Sequence, residues 1–384
     1  MATVNSNPTV TPNIVVMPFC TIPLTGVARA VWTPPATKPW GVAFEARIAM
    51  LGATVPGTAL TIEFDPVMGG ATGPPITGNA PAPIYGFSYL PLAAGVINTT
   101  LKSGIAAAVG DVFLDVAALT NMTRNCQVMI GAIDTNLTVY RFQTPSTWQD
   151  ISAGGAEWQS TTIVAGDCVY FKGHATLPWN HIKHVYNQAA VGPNAAIVTI
   201  WEYSLGGGNW KALHDPTANP QLQYLTGDQS QWLAASGATP MNKRYDRGCL
   251  PTAAGTLYTG WQTPPDWAAD TVNSVSGMWI RCRCVTGEAI TTAPTTNAQY
   301  TGRLYDTSEW GKLVAIAASP VTLGQPLEFA HSGVSDEVHN AMCCPPIILP
   351  GHVPYNILID NCGTTGTPVA AGVVAYTVDA IANI

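Results

Sequence analysis

Residues 261–294, WQTPPDWAADTVNSVSGMWIRCRCVTGEAITTAP, contain the clearest strand pattern in the chain. Within residues 278–285 successive side chains alternate, so an extended backbone would place Trp279, Arg281 and Arg283 on one face. The opposite face would carry the apolar and weakly polar side chains, which are Met278, Ile280, Cys282 and Cys284. This period of two predicts a half-buried strand, with one face toward a core and the other toward a loop, a second sheet or a neighbouring subunit.

The composition extends this prediction to the whole chain. Charged residues make up 10% of the 384 residues, against roughly 25% in ordinary soluble domains. Amphipathic surface helices need a charged face, and this chain has too few charges to cover many of them. The 36 glycines and 31 prolines are typical of many short strands joined by turns. We therefore predict an all-β, multi-domain fold, β-sandwich or jelly-roll-like, with long loops and little helix.

Strand-like runs recur along the chain and are separated by turn residues. The predicted strands are residues 13–19, Val42–Met50, 59–64, 128–133, Thr138–Gln143, 167–172, 278–285, 325–329, Ile347–Leu349, 355–360 and 371–380. Residues 110–119 fit a strand or a helix, and strand is favoured, whereas residues 308–317 predict a short helix. In residues 197–213, IVTIWEYSLGGGNWKAL, a Gly-Gly-Gly-Asn turn between two β-rich runs predicts a hairpin.

Turn-rich boundaries divide the chain into four predicted parts. Residues 1–30 form an N-terminal arm, and residues 31–125 form a β domain. Residues 126–300 form a β-sandwich domain with a long polar insertion at residues 214–255, and residues 301–384 form a C-terminal β region. Loops as long as this insertion are usually functional or form interfaces.

Charge and hydropathy exclude several classes of partner. The net charge of −7 argues against a nucleic-acid partner, which would require a basic patch. No stretch reaches the roughly 18 apolar residues of a membrane-spanning helix, so no membrane partner is expected. The first residues, MATVNSNPTVTP, lack the basic start of a secretory signal, which favours folding in a cytoplasm. The nine cysteines contain no CxxC pair and are interpreted as free, mostly buried thiols.

Two groups of titratable residues are candidates for ion binding. The first group consists of Asp167, His174, His181 and His184. It has no helical HExxH spacing and contains a proline, so a polar loop is favoured over a metal site. The second group consists of His331, Asp336, Glu337 and His339. A solvated turn is favoured there. We therefore predict no metal ligands and no cofactor.

No catalytic constellation can be nominated from the sequence. The GxSxG, phosphate-loop and GxGxxG motifs are missing, and the 23 Asp and Glu residues are mostly isolated in turns. A polysaccharide depolymerase is the enzyme class considered, and it is disfavoured because acid pairs and solenoid repeats are lacking. We predict no enzymatic activity and name no catalytic residue.

Four of the twelve tryptophans lie in or near predicted loops, and they are Trp158, Trp179, Trp210 and Trp232. Exposed aromatic rings on a β-sandwich can stack on sugars or form an interface. Packing in a core or an interface is favoured, because burial is where aromatic side chains contribute most.

The neutral surface rich in Thr, Ala, Gly and Pro also needs an explanation. Assembly would bury much of this surface against other copies, and interface cores are depleted in charge. The alternative is a monomer kept soluble by Thr, Asn and Gln. Assembly is favoured.

Three stretches carry a resemblance to a known family. They are PWNHI at residues 178–182, the hairpin at residues 197–213, and TPPDW…TVNSVSGMWIRCRCV…TTAP at residues 263–294. Together they resemble a β-sandwich module that is common in tailed-bacteriophage virion proteins, over about residues 126–294. The insertion at residues 214–255 and the Cys282/Cys284 pair depart from the family pattern. The shared motifs are structural, so no catalytic residue is carried over.

The resemblance implies a structural component of a phage virion, first of all a capsid decoration or cement protein that acts through subunit contacts. Its expected partners are the major capsid protein or other virion proteins, and a homotrimer is expected. The expected location is the virion, assembled in the host cytoplasm. The alternative is a tail-fibre or baseplate module that recognises host-surface glycans.

Overall fold

The computed structural model describes residues 9–10, 14–23, 27–32, 42–51, 60–66, 85–89, 96–159, 162–192, 197–213, 249–251, 253–316, 318–332, 336–343, 347–349, 355–361 and 368–379. Within these ranges the chain forms strands, turns and bends, and no helix is present. The predicted all-β class is therefore confirmed. Most of the predicted insertion, residues 214–248, lies outside the described residues.

The chain divides into two units, which are described separately. Unit 1 comprises residues 1–24, 28–131 and 307–384, and unit 2 comprises residues 25–27 and 132–306. The first strands of unit 1 are β1 (Thr9–Val10), β2 (Ile14–Ile22), β3 (Val27–Trp32), β4 (Val42–Met50), β5 (Leu60–Pro66), β6 (Tyr85–Tyr89), β7 (Asn98–Thr100), β8 (Ala106–Ala107), β9 (Phe113–Leu114) and β10 (Gln127–Gly131). The four-part division expected from the sequence stays a prediction.

The strands of unit 2 are β11 (Ile133–Asn136), β12 (Thr138–Gln143), β13 (Thr147–Asp150), β14 (Gly155–Ala156), β15 (Thr162–Ile163), β16 (Cys168–Lys172), β17 (Asn180–Gln188), β18 (Val198–Gly206), β19 (Asn209–Ala212), β20 (Gly255–Thr259), β21 (Asp270–Val272), β22 (Val275–Gly277), β23 (Trp279–Thr286), β24 (Glu288–Ala289), β25 (Thr295–Thr296) and β26 (Thr301–Leu304). The last strands of unit 1 are β27 (Glu309–Ala315), β28 (Val321–Leu323), β29 (His331–Ser332), β30 (Glu337–Cys343), β31 (Ile347–Leu349), β32 (Tyr355–Asn361) and β33 (Val369–Asp379).

Unit 1 contains a large antiparallel sheet and a four-stranded sheet. The large sheet has the order β1-β33-β4-β30-β10-β27-β28-β9, and β2, β31 and β7 pair with β33, β4 and β30. The small sheet has the order β3-β32-β5-β6. One core cluster contains Ile48 of β4 and Val373 of β33 from the large sheet, together with Ile62 of β5 and Ile357 of β32 from the small sheet. The two sheets therefore share a core, as in a β-sandwich.

Unit 2 is inserted at a hairpin position of unit 1. Strands β10 and β27 are neighbours in the large sheet, with Ile130 opposite Glu309. The chain between them, residues 132–306, contains nearly all of unit 2. Adjacent antiparallel strands are usually joined by a loop of a few residues. Here the connection between β10 and β27 contains a folded unit instead.

Unit 2 is built on two six-stranded antiparallel sheets. The first has the order β13-β12-β16-β23-β18-β19. The second has the order β11-β26-β17-β25-β14, with β20 added to β17. Phe171 of β16 meets His184 of β17 edge to face, with ring centroids 5.7 Å apart, which joins the two sheets across the core. Val139, Ile182 and Ile280 are fully buried in the same core.

Strand β23 lies between β16 and β18 in the first sheet and has the two faces predicted from its alternation. Ile280, Cys282 and Cys284 are fully buried in the core between the sheets. Trp279 packs in a separate cluster on the other face, and Arg281 is half-buried there. The stretch that predicts the fold is therefore a central strand of unit 2.

The predicted hairpin of residues 197–213 is confirmed as β18 and β19. Gly206 pairs with Asn209, and Gly207 and Gly208 between them have φ values of +63° and +80°. Two consecutive positive φ values are typical of a type I′ turn, whose twist suits the flanking strands.

Trp179 occupies a narrow slot between two glycines in the core of unit 2. A Cβ atom on Gly173 would lie 2.6 Å from the indole ring, and one on Gly302 would lie 2.7 Å from it. The indole N–H donates to the Met278 carbonyl at 2.9 Å. The ring also packs edge-on against Trp261, with centroids 4.9 Å apart. The indole is therefore fixed by shape and by one hydrogen bond.

Two secondary-structure predictions in unit 1 are wrong, and Glu309 is involved in both. The predicted helix at residues 308–317 is strand β27, because β10 and β28 pair with it on either side. The predicted strand at residues 325–329 is irregular backbone with bends. There the Glu309 carboxylate accepts the backbone N–H groups of Glu328 at 2.8 Å and Phe329 at 3.1 Å.

The other strand predictions agree with the structure, mostly with shifted ends. Val42–Met50, Thr138–Gln143 and Ile347–Leu349 match fully. Residues 110–119 contribute only the two-residue strand β9. The six cysteines with described side chains are free thiols, and only Cys126 among them is not buried. Among the described residues no helix is long and apolar enough to cross a membrane.

Candidate functional site

The outer face of the first sheet of unit 2 carries a group of aromatic and arginine side chains. Residues directly opposite each other in neighbouring strands share a face. The register places Tyr140 opposite Tyr170, Tyr170 opposite Arg281, and Arg281 opposite Glu202. We call this surface the aromatic–arginine face, and its members are Tyr140, Phe142, Trp148, Tyr170, Glu202, Trp210, Trp279, Arg281 and Arg283.

The aromatic rings form a continuous group that draws on five strands, which are β12, β13, β16, β19 and β23. Ring centroids are 4.7 Å apart for Phe142 and Trp148, 5.3 Å for Trp148 and Tyr170, and 5.6 Å for Tyr170 and Trp210. Tyr140 also stacks on Trp279 at 5.9 Å. Pairs at these separations contribute about 0.5–1.5 kcal/mol beyond the area they bury. The group therefore stiffens the sheet as well as forming its surface.

Glu202 holds both arginines of the face. Its carboxylate accepts from Arg281 Nε at 2.6 Å, and from Arg283 Nε at 2.9 Å and Nη2 at 2.7 Å. Burial by itself would raise the pKa of Glu202, but the hydrogen bonds and charges of the two arginines outweigh it and lower the pKa. The Arg281 guanidinium also lies over the Trp210 ring, 4.2 Å from its centroid. One carboxylate and two guanidinium groups leave this part of the face with one net positive charge.

The aromatic–arginine face is covered at one end and open at the other. Trp279 is fully buried, and Val272 and Val275 of the β21–β22 hairpin pack against its cluster. Trp148 is 37% exposed, on edge strand β13, where all four residues are exposed. The Arg283 side chain is 32% exposed. The open end thus combines tryptophan and arginine, which are enriched at the energetic centres of protein interfaces.

A second feature of unit 2 is a buried polar cluster, formed by Glu157, His184, Tyr186 and Cys249. His184 Nδ1 lies 2.9 Å from Glu157 Oε1, and the Tyr186 hydroxyl donates to Glu157 Oε2 at 2.6 Å. Ligand-type atoms of Glu157, His184 and Cys249 all lie within 4.8 Å of one another. Across the described part of the chain, no other three His, Cys, Asp or Glu side chains converge in this way.

Burial controls the ionisation of two groups in this cluster, the Cys249 thiol and the Tyr186 hydroxyl. It raises the pKa of the Cys249 thiol well above its ordinary value, and contacts with Cys282 and Glu157 add to the effect. Burial followed by the charge of Glu157 raises the pKa of Tyr186 well above its ordinary value. Without a bound cation both groups therefore stay protonated, and the Cys249 thiol is a poor nucleophile.

The three histidines that follow Asp167 do not converge. His174 Nδ1 accepts the backbone N–H groups of Thr176 and Leu177, at 3.2 and 3.0 Å, and closes a turn. His181 and His184 lie in strand β17 and are buried, so the predicted polar loop is wrong for them. Burial, followed by the charge of Arg303, lowers the pKa of His181 to about 3.

Three residues of the second predicted cluster, His331, Asp336 and His339, are buried, so the predicted solvated turn is wrong. His331 Nδ1 lies 2.9 Å from Asp336 Oδ2, and its Nε2 lies 2.7 Å from Glu309 Oε1. Burial by itself would lower the pKa of His331, but hydrogen bonds to Asp336 and Glu309 outweigh it and raise the pKa to about 9. His339 is also buried, and its Nε2 lies 2.6 Å from Glu337 Oε2.

The four tryptophans named from the sequence fall in different places. Trp158 and Trp179 are each 1% exposed in the core, and their N–H groups are bound by backbone carbonyls. Core packing is the interpretation favoured from the sequence, and neither buried ring is available to a sugar. Trp210 lies on the aromatic–arginine face, where an interface role stays a prediction. Trp232 lies outside the described residues.

Sequence reasoning missed most of the aromatic–arginine face. The alternation of TVYRFQ at Thr138–Gln143 could have placed Tyr140 and Phe142 on one face. Trp148 could not have been found this way, because its place depends on the pairing of β12 with β13.

Comparisons with known proteins give no sequence-level match. No protein-family model matches the chain, and no curated protein matches it. Among solved structures, the infectious bursal disease virus VP2 subviral particle is similar over 98% of this chain and 83% of that chain, at 10% identity and a TM-score of 0.19. T=1 particles derived from infectious bursal virus are similar over 98% and 80%, at 11% identity and a TM-score of 0.19.

A mycobacterial arabinofuranosyltransferase, AftD, is similar over 94% of this chain and 33% of that chain, at 11% identity and a TM-score of 0.11. The chain therefore has a weak structural resemblance to a viral capsid protein, and the resemblance is not specific to tailed phages. At such low scores these likenesses carry no argument about the function of this chain.

Proposed function

We propose that the chain is a structural, non-enzymatic component of a virus particle that acts through contacts with other virion proteins. The observation that carries the proposal is the open end of the aromatic–arginine face, where Trp148 is 37% exposed beside half-buried Phe142 and Arg283. Tryptophan and arginine are enriched among the residues that contribute most to the binding energy of protein interfaces. The low charge content of 10% supports the same conclusion, because interface cores are depleted in charge.

The finer assignment is a capsid decoration or cement protein of a tailed phage, located in the virion and assembled in the host cytoplasm. It rests on the sequence resemblance of residues 126–294 to a phage β-sandwich module. The proposed partners are the major capsid protein or other virion proteins, and the proposed assembly state is a homotrimer.

Sedimentation equilibrium of the purified chain over a hundredfold concentration range tests the self-association in this proposal. Trp148→Ser should weaken association by about 1–3 kcal/mol, which is the range of an interface aromatic truncation. The matched control is Phe113→Ser, since Phe113 is 57% exposed on β9 and is not a member of this face. A chain that stays monomeric throughout, or that loses association with Phe113→Ser and not with Trp148→Ser, would contradict the proposal.

A second candidate function is the recognition of host-surface glycans by a tail-fibre or baseplate module. The exposed ring of Trp148 favours it, because such a ring can stack on a sugar. A glycan array with the wild-type chain and the Trp148→Ala variant distinguishes the two functions. Binding that disappears in the variant supports glycan recognition. If the wild-type chain gives no signal on any glycan, this second function is excluded.

A further inference from the structure

We propose that Glu157, His184 and Cys249 bind one zinc ion in the core of unit 2. The three residues come from separate parts of the chain. Glu157 follows β14, His184 lies in β17, and Cys249 is the first described residue after residues 214–248. Their ligand-type atoms lie within 4.8 Å of one another, and all three residues are buried. This proposal is independent of the virion role, because the cluster is inside the core and the proposed interface is outside it.

The donor set selects the metal. A carboxylate oxygen, an imidazole nitrogen and a cysteine sulfur are the three ligand types that zinc uses in proteins. Calcium and magnesium prefer all-oxygen sites, so the thiol and the imidazole disfavour them. The Tyr186 hydroxyl lies 2.6 Å from Glu157 Oε2 and 3.2 Å from His184 Nδ1, so it is placed to complete the coordination or to orient the carboxylate.

Charge balance gives the second reason. The interior of a β-sandwich is a poor environment for unbalanced charge. A zinc ion with the Glu157 carboxylate, the Cys249 thiolate and neutral His184 forms a complex with no net charge. Binding releases the Cys249 thiol proton to solvent, because only the thiolate binds the metal. No oxidant or reductant takes part in this step.

Neighbouring side chains hold the three residues in place by hydrogen bonds and ring stacking. Tyr186 donates to Glu157, and its ring stacks on His184 with centroids 5.4 Å apart and planes 5° apart. The Trp158 indole N–H donates to the Cys249 carbonyl at 3.0 Å. Cys249 itself has a φ of +59°, a strained value for a non-glycine residue. Hydrogen-bonded partners of this kind fix the orientation of metal ligands.

The proposed site has a structural consequence. It would link Cys249 to strand β17 and to the segment after β14. Zinc would thus act as a crosslink inside unit 2, with no catalytic part.

Metal content and cobalt spectroscopy test the proposal on the full chain. After chelator treatment and dialysis against micromolar zinc, the wild-type chain should hold one zinc ion, measured by inductively coupled plasma mass spectrometry. The cobalt-substituted chain should show the thiolate-to-cobalt charge-transfer band that Cys249 would supply. Cys249→Ser should remove this band and weaken zinc binding by at least roughly 100-fold, and Tyr186→Phe should weaken it by about 10- to 100-fold.

The matched control is Cys284→Ser, because Cys284 is equally buried in the same core but is not part of the cluster. It should keep both the band and the affinity. Circular dichroism checks that each variant folds, and the isosteric Glu157→Gln variant tests the site if Cys249→Ser does not fold. A wild-type chain without bound zinc or without the band overturns the proposal. A folded Cys249→Ser or Glu157→Gln variant with wild-type affinity also overturns it.

Discussion

Removing the Glu202 carboxylate should destabilise the chain more than any other single charge deletion on the aromatic–arginine face. In Glu202→Ala, Arg281 and Arg283 would lose three hydrogen bonds of 2.6 to 2.9 Å and would face each other without a counter-charge. Breaking a fully buried ion pair on one side costs about 3–5 kcal/mol. The arginine side chains are 15% and 32% exposed, so partial solvation should reduce the cost to about 2–3 kcal/mol.

Urea unfolding followed by tryptophan fluorescence measures this effect. With a slope of about 2–3 kcal/mol per molar urea, the midpoint should fall by about 1 M. Lys211→Met is the control, because it breaks an ion pair whose members, Lys211 and Asp266, are 51% and 45% exposed. It should cost no more than about 1 kcal/mol. A Glu202→Ala midpoint within 0.2 M of wild type, taken here as the rough limit of detection, would refute the reasoning.

The pH dependence gives an independent check on Glu202. Its pKa in the folded chain is lowered, so its contribution is fully present above the unfolded-state pKa of about 4.3 and is lost as the pH falls through the lower folded-state pKa. The difference in unfolding free energy between wild type and Glu202→Ala should therefore be constant from about pH 5.5 to 8. It should shrink only in strong acid. A difference that vanishes already near pH 6 would assign the effect to another group.

Three further outcomes are expected. His331, whose pKa is raised to about 9, should contribute on the order of 2–4 kcal/mol below about pH 6.5 and lose it as the pH rises through 9. Comparing His331→Gln with wild type by urea unfolding from pH 6 to 10 measures this, and parallel curves would contradict it. Gly173→Ala should lower the stability by about 1–3 kcal/mol, because the new methyl group meets the Trp179 ring. Gly324→Ala, where the nearest atom to the new Cβ is 3.2 Å away, should lower it less. A lower thermal midpoint for Gly324→Ala than for Gly173→Ala would contradict the tight packing of Trp179 against Gly173. Trp148→Ser should lower self-association while changing the urea midpoint by less than the equivalent of about 1 kcal/mol, and an equal loss of stability and association would show a folding defect instead.

Local patterns made the strands predictable. The alternation of residues 278–285 predicts which side chains lie on each face of β23, because successive side chains of a strand point to opposite faces. The Gly-Gly-Gly-Asn run gave the β18–β19 hairpin, because only particular residues accept positive φ in a tight turn. The low charge content gave the all-β class.

Features that depend on partners far away in the chain could not be predicted. The local sequence of residues 331–339 predicts a solvated turn. It does not show that Glu309, 22 residues before His331, supplies a second carboxylate to that histidine. The buried polar cluster joins Glu157 to His184, 27 residues later, and to Cys249 beyond the insertion. Strand β27 was predicted as a helix because its own sequence does not reveal that strands lie on both sides of it. In each case the deciding information is the pairing of strands.

Mass spectrometry of purified virus particles from infected host cells tests the central claim most directly. A structural component of the virion should be present in every particle preparation, in a fixed ratio to the most abundant particle protein, and should stay bound through density-gradient purification. Particles that lack the chain, or that carry it in trace amounts that vary between preparations, would contradict a virion role.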